Sequence, residues 1–164
     1  MKKILLLFVA ACALSSCTTD VRDNSPAFEG LRNGSRWRAP GVVAYLGAGG
    51  DLTITGANRF ETLELHTTST APGEYILGNS ATRTATFTVA TKEGVVEKVY
   101  QTGVGIGDGK ITIEEYDEVK KTITGKFLFN AIDTEAEDPE DPTAAETMNF
   151  TSGVFYEVPV YPTL

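Results

Sequence analysis

The sequence predicts an all-β protein: a single antiparallel β-sandwich or flattened barrel of about nine or ten strands. Three observations point there. From Trp37 onward, apolar and polar residues alternate with period two, which puts one set of side chains on a core and the other in water. Clusters of Gly, Asn and Pro punctuate the alternating runs at short intervals. Threonine occurs 22 times, and its β-branch suits a half-exposed pleated surface. No segment carries a helical period.

The elements follow in order. A first strand is expected over 36–45, with Trp37 inward between outward Arg36 and Arg38 and a break at Pro40-Gly41. Leu52 and Ile54 define a strand over 51–56, set between the Gly47–Asp51 turn and Gly56-Ala57-Asn58. Leu63 and Leu65 alternate with Glu64 and His66 over 62–67, so His66 faces away from the leucines. Strands over 73–77, 84–91 and 95–102 are separated by Gly78-Asn79 and by further polar turns. Ile111 and Ile113 mark 109–116. Ile123, Phe127 and Phe129 give 120–131 a face that is nearly all large and apolar. A last strand spans 147–158. Aromatic residues fall on nearly every strand and read as core; the alternative is a lipocalin-like closed barrel whose interior carries a small apolar ligand.

The ends set the location. Lys2 and Lys3 precede an apolar run from Ile4 to Leu14, too short to span a hydrocarbon core of about 20 helical residues. Leu14-Ser15-Ser16-Cys17 resembles a bacterial lipobox, so residues 1–16 read as a lipoprotein signal peptide and Cys17 as the lipid attachment site. Residues 17–35, polar and rich in Pro and Gly, read as the acylated Cys and a flexible tether, and 36–164 as the β domain. Cys12 leaves with the signal, so the processed chain has no disulfide and no free thiol. Loss of Lys2 and Lys3 leaves a net charge of about −10, which speaks against nucleic acid and anionic membrane surfaces as partners. The expected location is the bacterial cell envelope, on the outer membrane, with the periplasmic and surface faces both open.

Few residues suggest chemistry. Gly107-Asp108-Gly109-Lys110-Ile111-Thr112-Ile113-Glu114-Glu115 resembles the second half of a calcium loop, but Val104 and Ile106 fall where the first ligands belong. The stretch reads instead as a turn and a strand. Gly103 to Gly109 lacks both the spacing of a dinucleotide fingerprint and a following helix, and reads as a mobile glycine-rich loop. The segment 133–146 holds seven carboxylates and no base; Asp138, Glu140 and Asp141 are weak metal candidates there, against a solvated acidic loop. His66 is the only histidine, too few for a His-based triad or a multi-histidine zinc site. Glu64, Glu74, Glu114 and Glu157 read as surface residues of strands. No cofactor is expected.

Trp37-Arg38-Ala39, Leu52-Thr53-Ile54-Thr55-Gly56, Gly73-Glu74-Tyr75-Ile76-Leu77-Gly78, Ile111 to Asp117, Ile123 to Ala131 and Gly153-Val154-Phe155 stand in an order that resembles a family of uncharacterised Bacteroidota lipoproteins. The resemblance implies an all-β domain behind a lipid anchor and supplies no functional residues. The function expected is therefore a non-catalytic, lipid-anchored domain that binds a protein or a glycan, with loops 103–109 and 133–146 as contact surfaces. A small-molecule carrier is the second reading, and an enzyme using carboxylates the third.

Overall fold

In a computed structural model that describes residues 26–133 and 146–163, the chain is all-β. The strands are β1 (Ala27–Arg32), β2 (Ser35–Arg38), β3 (Gly41–Leu46), β4 (Leu52–Asn58), β5 (Glu61–Thr67), β6 (Gly73–Leu77), β7 (Thr84–Ala90), β8 (Val96–Gln101), β9 (Asp108–Asp117), β10 (Thr122–Asp133) and β11 (Thr147–Pro162). The expected 36–45 strand is two strands separated at Ala39-Pro40, where proline removes a donor.

All eleven strands belong to one sheet. The run β11-β3-β4-β5-β7-β8-β10 returns on itself through the β10–β11 pairing, and β1–β2 and β9–β6 extend from β11 and β10 as flanking pairs. Two joints are narrow. β11 meets β3 through three residue pairs, and β10 meets β8 through two. Phe87 of β7 reaches Phe150 of β11 across the interior at 5.2 Å between ring centroids, so opposite walls touch. The result is a sandwich with two stitched corners, a flattened barrel. The expected purely antiparallel arrangement needs one correction: β11 and β3 run parallel, because β11 turns a corner and meets β3 running in the same direction.

The corner is made inside β11. Ser152 and Glu157 adopt φ of 51° and 48°, and at each the register against β10 slips. Such bulges bend a strand and increase its twist. The Thr124 hydroxyl accepts the Glu157 backbone N–H at 3.0 Å, so the second bulge leaves that donor satisfied.

The strands begin earlier than the sequence reading placed them. Ala27 and Phe28, assigned to the tether, are buried and pair with Tyr156 and Phe155 of β11. The turn that makes this strand is Asn33-Gly34, whose φ of 46° and 78° fit the two-residue hairpin turn for which Asn-Gly is preferred. Asn33 Oδ1 also accepts the Asn149 N–H at 2.9 Å, tying the turn to β11.

The interior is filled by rings. Phe28, Trp37, Phe87, Phe127, Phe129 and Phe150 form one connected set with centroid separations of 5.0 to 6.2 Å. Glycines within strands make room for them. A side chain at Gly56 would meet the Phe28 ring at 2.4 Å, one at Gly125 the Phe155 ring at 2.4 Å, and one at Gly153 the Phe127 ring at 2.5 Å. Gly56, expected to end a strand, lies inside β4 for this reason.

Candidate binding surface

The outer face of β6, β9, β10 and β11 carries a groove. Alternation on β9 turns Ile111 and Ile113 inward and Lys110, Thr112 and Glu114 outward. On β10 it buries Phe127 and Phe129 and exposes Lys126 and Leu128. Register then builds two outward rows, Glu74–Thr112–Lys126–Val154 and Ile76–Lys110–Leu128. A groove of about 330 Å³ runs between them, lined by Glu74, Lys110, Thr112, Lys126, Leu128 and Ser152, with Phe127 and Gly153 between the rows.

Its charges are paired across strands. Lys110 Nζ lies 2.5 Å from Glu74, and Lys126 Nζ 2.5 Å from Glu114. Exposed pairs of this kind contribute about 0–1 kcal/mol each, so a ligand carboxylate or hydroxyl can take either lysine at small cost. Leu128 is 45% exposed and Ile76 42%. Charged rims around exposed aliphatic side chains suit a polypeptide or a sugar surface more than a deeply enclosed small molecule.

The carboxylates weighed in the sequence sit as follows. Glu74 and Glu114 belong to this face, Glu64 points outward from β5, and Glu157 lies 3.7 Å from Lys120. The stretch Gly107 to Asp117 is the entry to β9 and β9 itself: Asp108 accepts from the Asn130 side chain at 2.9 Å, and Glu115 is exposed. Among the described residues no group of three or more His, Cys, Asp or Glu side chains is placed to hold a metal ion. Cys17 and the candidates Asp138, Glu140 and Asp141 lie outside the described residues.

Loop 103–107 is no loose excursion. Gly103 and Ile106 exchange backbone hydrogen bonds of 2.8 and 3.2 Å, and the Gly105 N–H donates to the Gly78 carbonyl at 2.9 Å. A side chain at Gly107 would strike the Asn130 carbonyl at 2.3 Å, so this glycine serves close backbone packing. His66 does face outward, as expected. Its Nδ1 is 2.6 Å from the Thr82 carbonyl and its Nε2 3.4 Å from Asp51, which links two turns at one end of the sheet.

Sequence reasoning missed a polar cluster around Trp37. The buried indole Nε1–H donates to Glu61 Oε2 at 2.9 Å, and the Arg32 guanidinium pairs with the same carboxylate. Arg32 also stands 5.6 Å above the Phe87 ring. Burying tryptophan obliges its N–H to find an acceptor, which is the signal the sequence offered. Around Lys98, Tyr100 and Glu146, the lysine ammonium holds the Glu146 carboxyl below the usual range, while burial and then Glu146 push the Tyr100 phenol up. This cluster ties β8 to the start of β11.

No curated protein and no solved structure matches the chain. Residues 24–159 match the family described as a domain of unknown function, DUF6252, a span that takes in β1 as well as the later strands, and the chain belongs to that family.

Proposed function

We propose that this protein is a bacterial lipoprotein, acylated at Cys17 and held on the outer membrane, whose β domain binds a protein or a glycan without catalysing a reaction. The groove between Glu74, Lys110, Lys126 and Leu128 carries the reading: aliphatic side chains stand exposed among exchangeable ion pairs on a rigid sheet. The filled aromatic interior supports a binding module over a carrier, because a ligand inside would need the space that Phe87, Phe127 and Phe150 occupy. The lipobox Leu14-Ser15-Ser16-Cys17 supports the anchor, and the family resemblance supports a Bacteroidota envelope.

Two measurements test this. Cys17→Ser should move the protein from the membrane to the soluble fraction; continued sedimentation would remove the lipobox reading. Native mass spectrometry of protein taken from its own membranes should show a retained partner that Leu128→Asp with Lys126→Glu releases. A partner retained equally by the double variant would place binding elsewhere, and a bound small apolar molecule would favour the carrier.

A further inference from the structure

We infer that the outward row Asp108–Asn130–Asn149, beside the groove, holds an uncharged sugar chain laid across β9, β10 and β11. The inference rests on the binding reading above and narrows it from a protein or a glycan to a neutral glycan. Register puts Asp108 opposite Asn130 and Asn130 opposite Asn149. Their neighbours Phe129 and Phe150 are interior, so alternation turns the asparagines outward. The Asn149 Nδ2–H donates to Asn130 Oδ1 at 2.5 Å, and the Asn130 Nδ2–H to Asp108 Oδ1 at 2.9 Å. Asn33, whose Oδ1 accepts the Asn149 backbone N–H at 2.9 Å, closes the row at the β1–β2 turn.

Strands stand about 4.8 Å apart, so the three side chains form a ladder about 10 Å long. A carboxamide nitrogen carries two hydrogens, and each amide spends one of them inside the ladder. One N–H of Asn130 and one of Asn149 are left as donors, with Asn149 Oδ1 and Asp108 Oδ2 as acceptors. Both ladder bonds point toward the carboxylate, so each polarises the other. A sugar hydroxyl donates and accepts at once, and donors interleaved with acceptors along a line are what neighbouring hydroxyls require. Asn130 and Asn149 are half-buried and already held by the ladder, so binding orders them little further.

Two observations select an uncharged sugar. The first is charge. Leu128 and Ile132 flank Asn130 on the outward side of β10, and Thr147 stands opposite Ile132. Asp108 and Lys110 are of opposite sign, and Lys110 is paired with Glu74. On a chain of net charge −8 this patch is close to neutral, with no surplus cation to hold an acidic glycan. The second is the backbone. Here β9, β10 and β11 each have a neighbour on both sides, so a peptide cannot add itself as a strand and gain main-chain bonds. A ligand meets side chains alone. Leu128, 45% exposed between ladder and groove, offers the aliphatic surface on which the C–H face of a sugar ring rests.

The full chain, purified in a detergent without a sugar headgroup, would be run through native gels containing a neutral polysaccharide (a β-glucan, an α-mannan, a galactomannan or a xylan) or the acidic polygalacturonate. The expected result is retardation by at least one neutral polysaccharide and none by polygalacturonate. Asn130→Ala and Asn149→Ala should each weaken it about tenfold while keeping the parent's circular dichroism. Thr55→Ala, on the opposite wall, should leave it unchanged. Retardation by polygalacturonate alone, or retardation that both asparagine variants keep, overturns the site. If no gel retards the chain but it retains a protein partner that Leu128→Asp with Lys126→Glu releases, the sugar is overturned and the binding domain stands. Failure of both measurements overturns both.

Discussion

Replacing Phe28 with alanine separates a strand from a tether by its magnitude. Phe28 is fully buried, its ring lies 5.7 Å from that of Trp37 and 5.4 Å from that of Phe127, and it covers Gly56 on β4. Removing the ring forfeits its transfer energy and leaves a void, a loss of about 3–5 kcal/mol for a packed phenylalanine. Two features place the expected value in the upper half of that range. The neighbouring residue on β4 is a glycine with no side chain to swing into the space, and two aromatic contacts worth about 0.5–1.5 kcal/mol each go with the ring. Against a total stability of about 5–15 kcal/mol this is a large fraction. At about 2–4 °C per kcal/mol for a domain of this size, the melting temperature should fall by about 8–20 °C. Urea titration, followed by far-UV circular dichroism and by Trp37 fluorescence, should show a lower midpoint at an unchanged slope. Phe60→Ala, at a partly exposed turn position, should shift it by about 0.5 kcal/mol or less. A loss below about 1 kcal/mol for Phe28→Ala is what a tether residue would give, and would refute the assignment of β1 to the core.

Gly56→Ala approaches the same contact from the other side: a Cβ 2.4 Å from the Phe28 ring and 2.9 Å from Ala39 must displace both, costing about 1–3 kcal/mol in the same titration. Glu61→Ala strands the buried Trp37 N–H and the Arg32 guanidinium, and should cost about 1–3 kcal/mol; Glu61→Gln, which keeps an acceptor, should cost less. The backbone N–H of Lys120, and after it that of Val119, hold the Asp117 carboxyl below its usual range. Its contribution is therefore present above the ordinary carboxylate pKa of about 4 and is lost as pH falls through the lower folded value. Asp117→Asn should be less stable than the parent at pH 7, and the two should converge in melts as the pH is lowered; a gap that stays constant would mean charge has no part in the turn. Glu146→Gln should follow the same course, because Lys98 and then Tyr100 depress that carboxyl in the same sense.

Much of the fold is legible in the sequence because a side-chain period of two leaves little freedom about which face is buried. Leu63, Leu65, Ile111, Ile113, Phe127 and Phe129 are all interior as the alternation requires. What composition obscured is β1. Asn33-Gly34 signals a hairpin on its own, yet Pro26, Gly30 and the surrounding polar residues made the stretch resemble a linker. Gly56 misleads for a related reason: a glycine under an aromatic ring looks in one dimension like a turn. The groove of Glu74, Lys110 and Lys126 is not legible at all, since it depends on the register of β6 and β10 against β9, which no local pattern specifies. The Trp37–Glu61 contact likewise joins residues 24 positions apart through the placing of β2 over β5.

The pairing of β1 with β11 has a consequence for how the protein is made. Apart from its hairpin with β2, the first described strand pairs only with the last, and the two corners that stitch the walls both involve β10 or β11. Contacts so distant in sequence form late and slowly. A nascent chain stopped anywhere before residue 147 lacks the piece that locks its beginning in place, and stays threadable. The order of pairing thus acts as a built-in delay on compaction, which waits for the arrival of the tail.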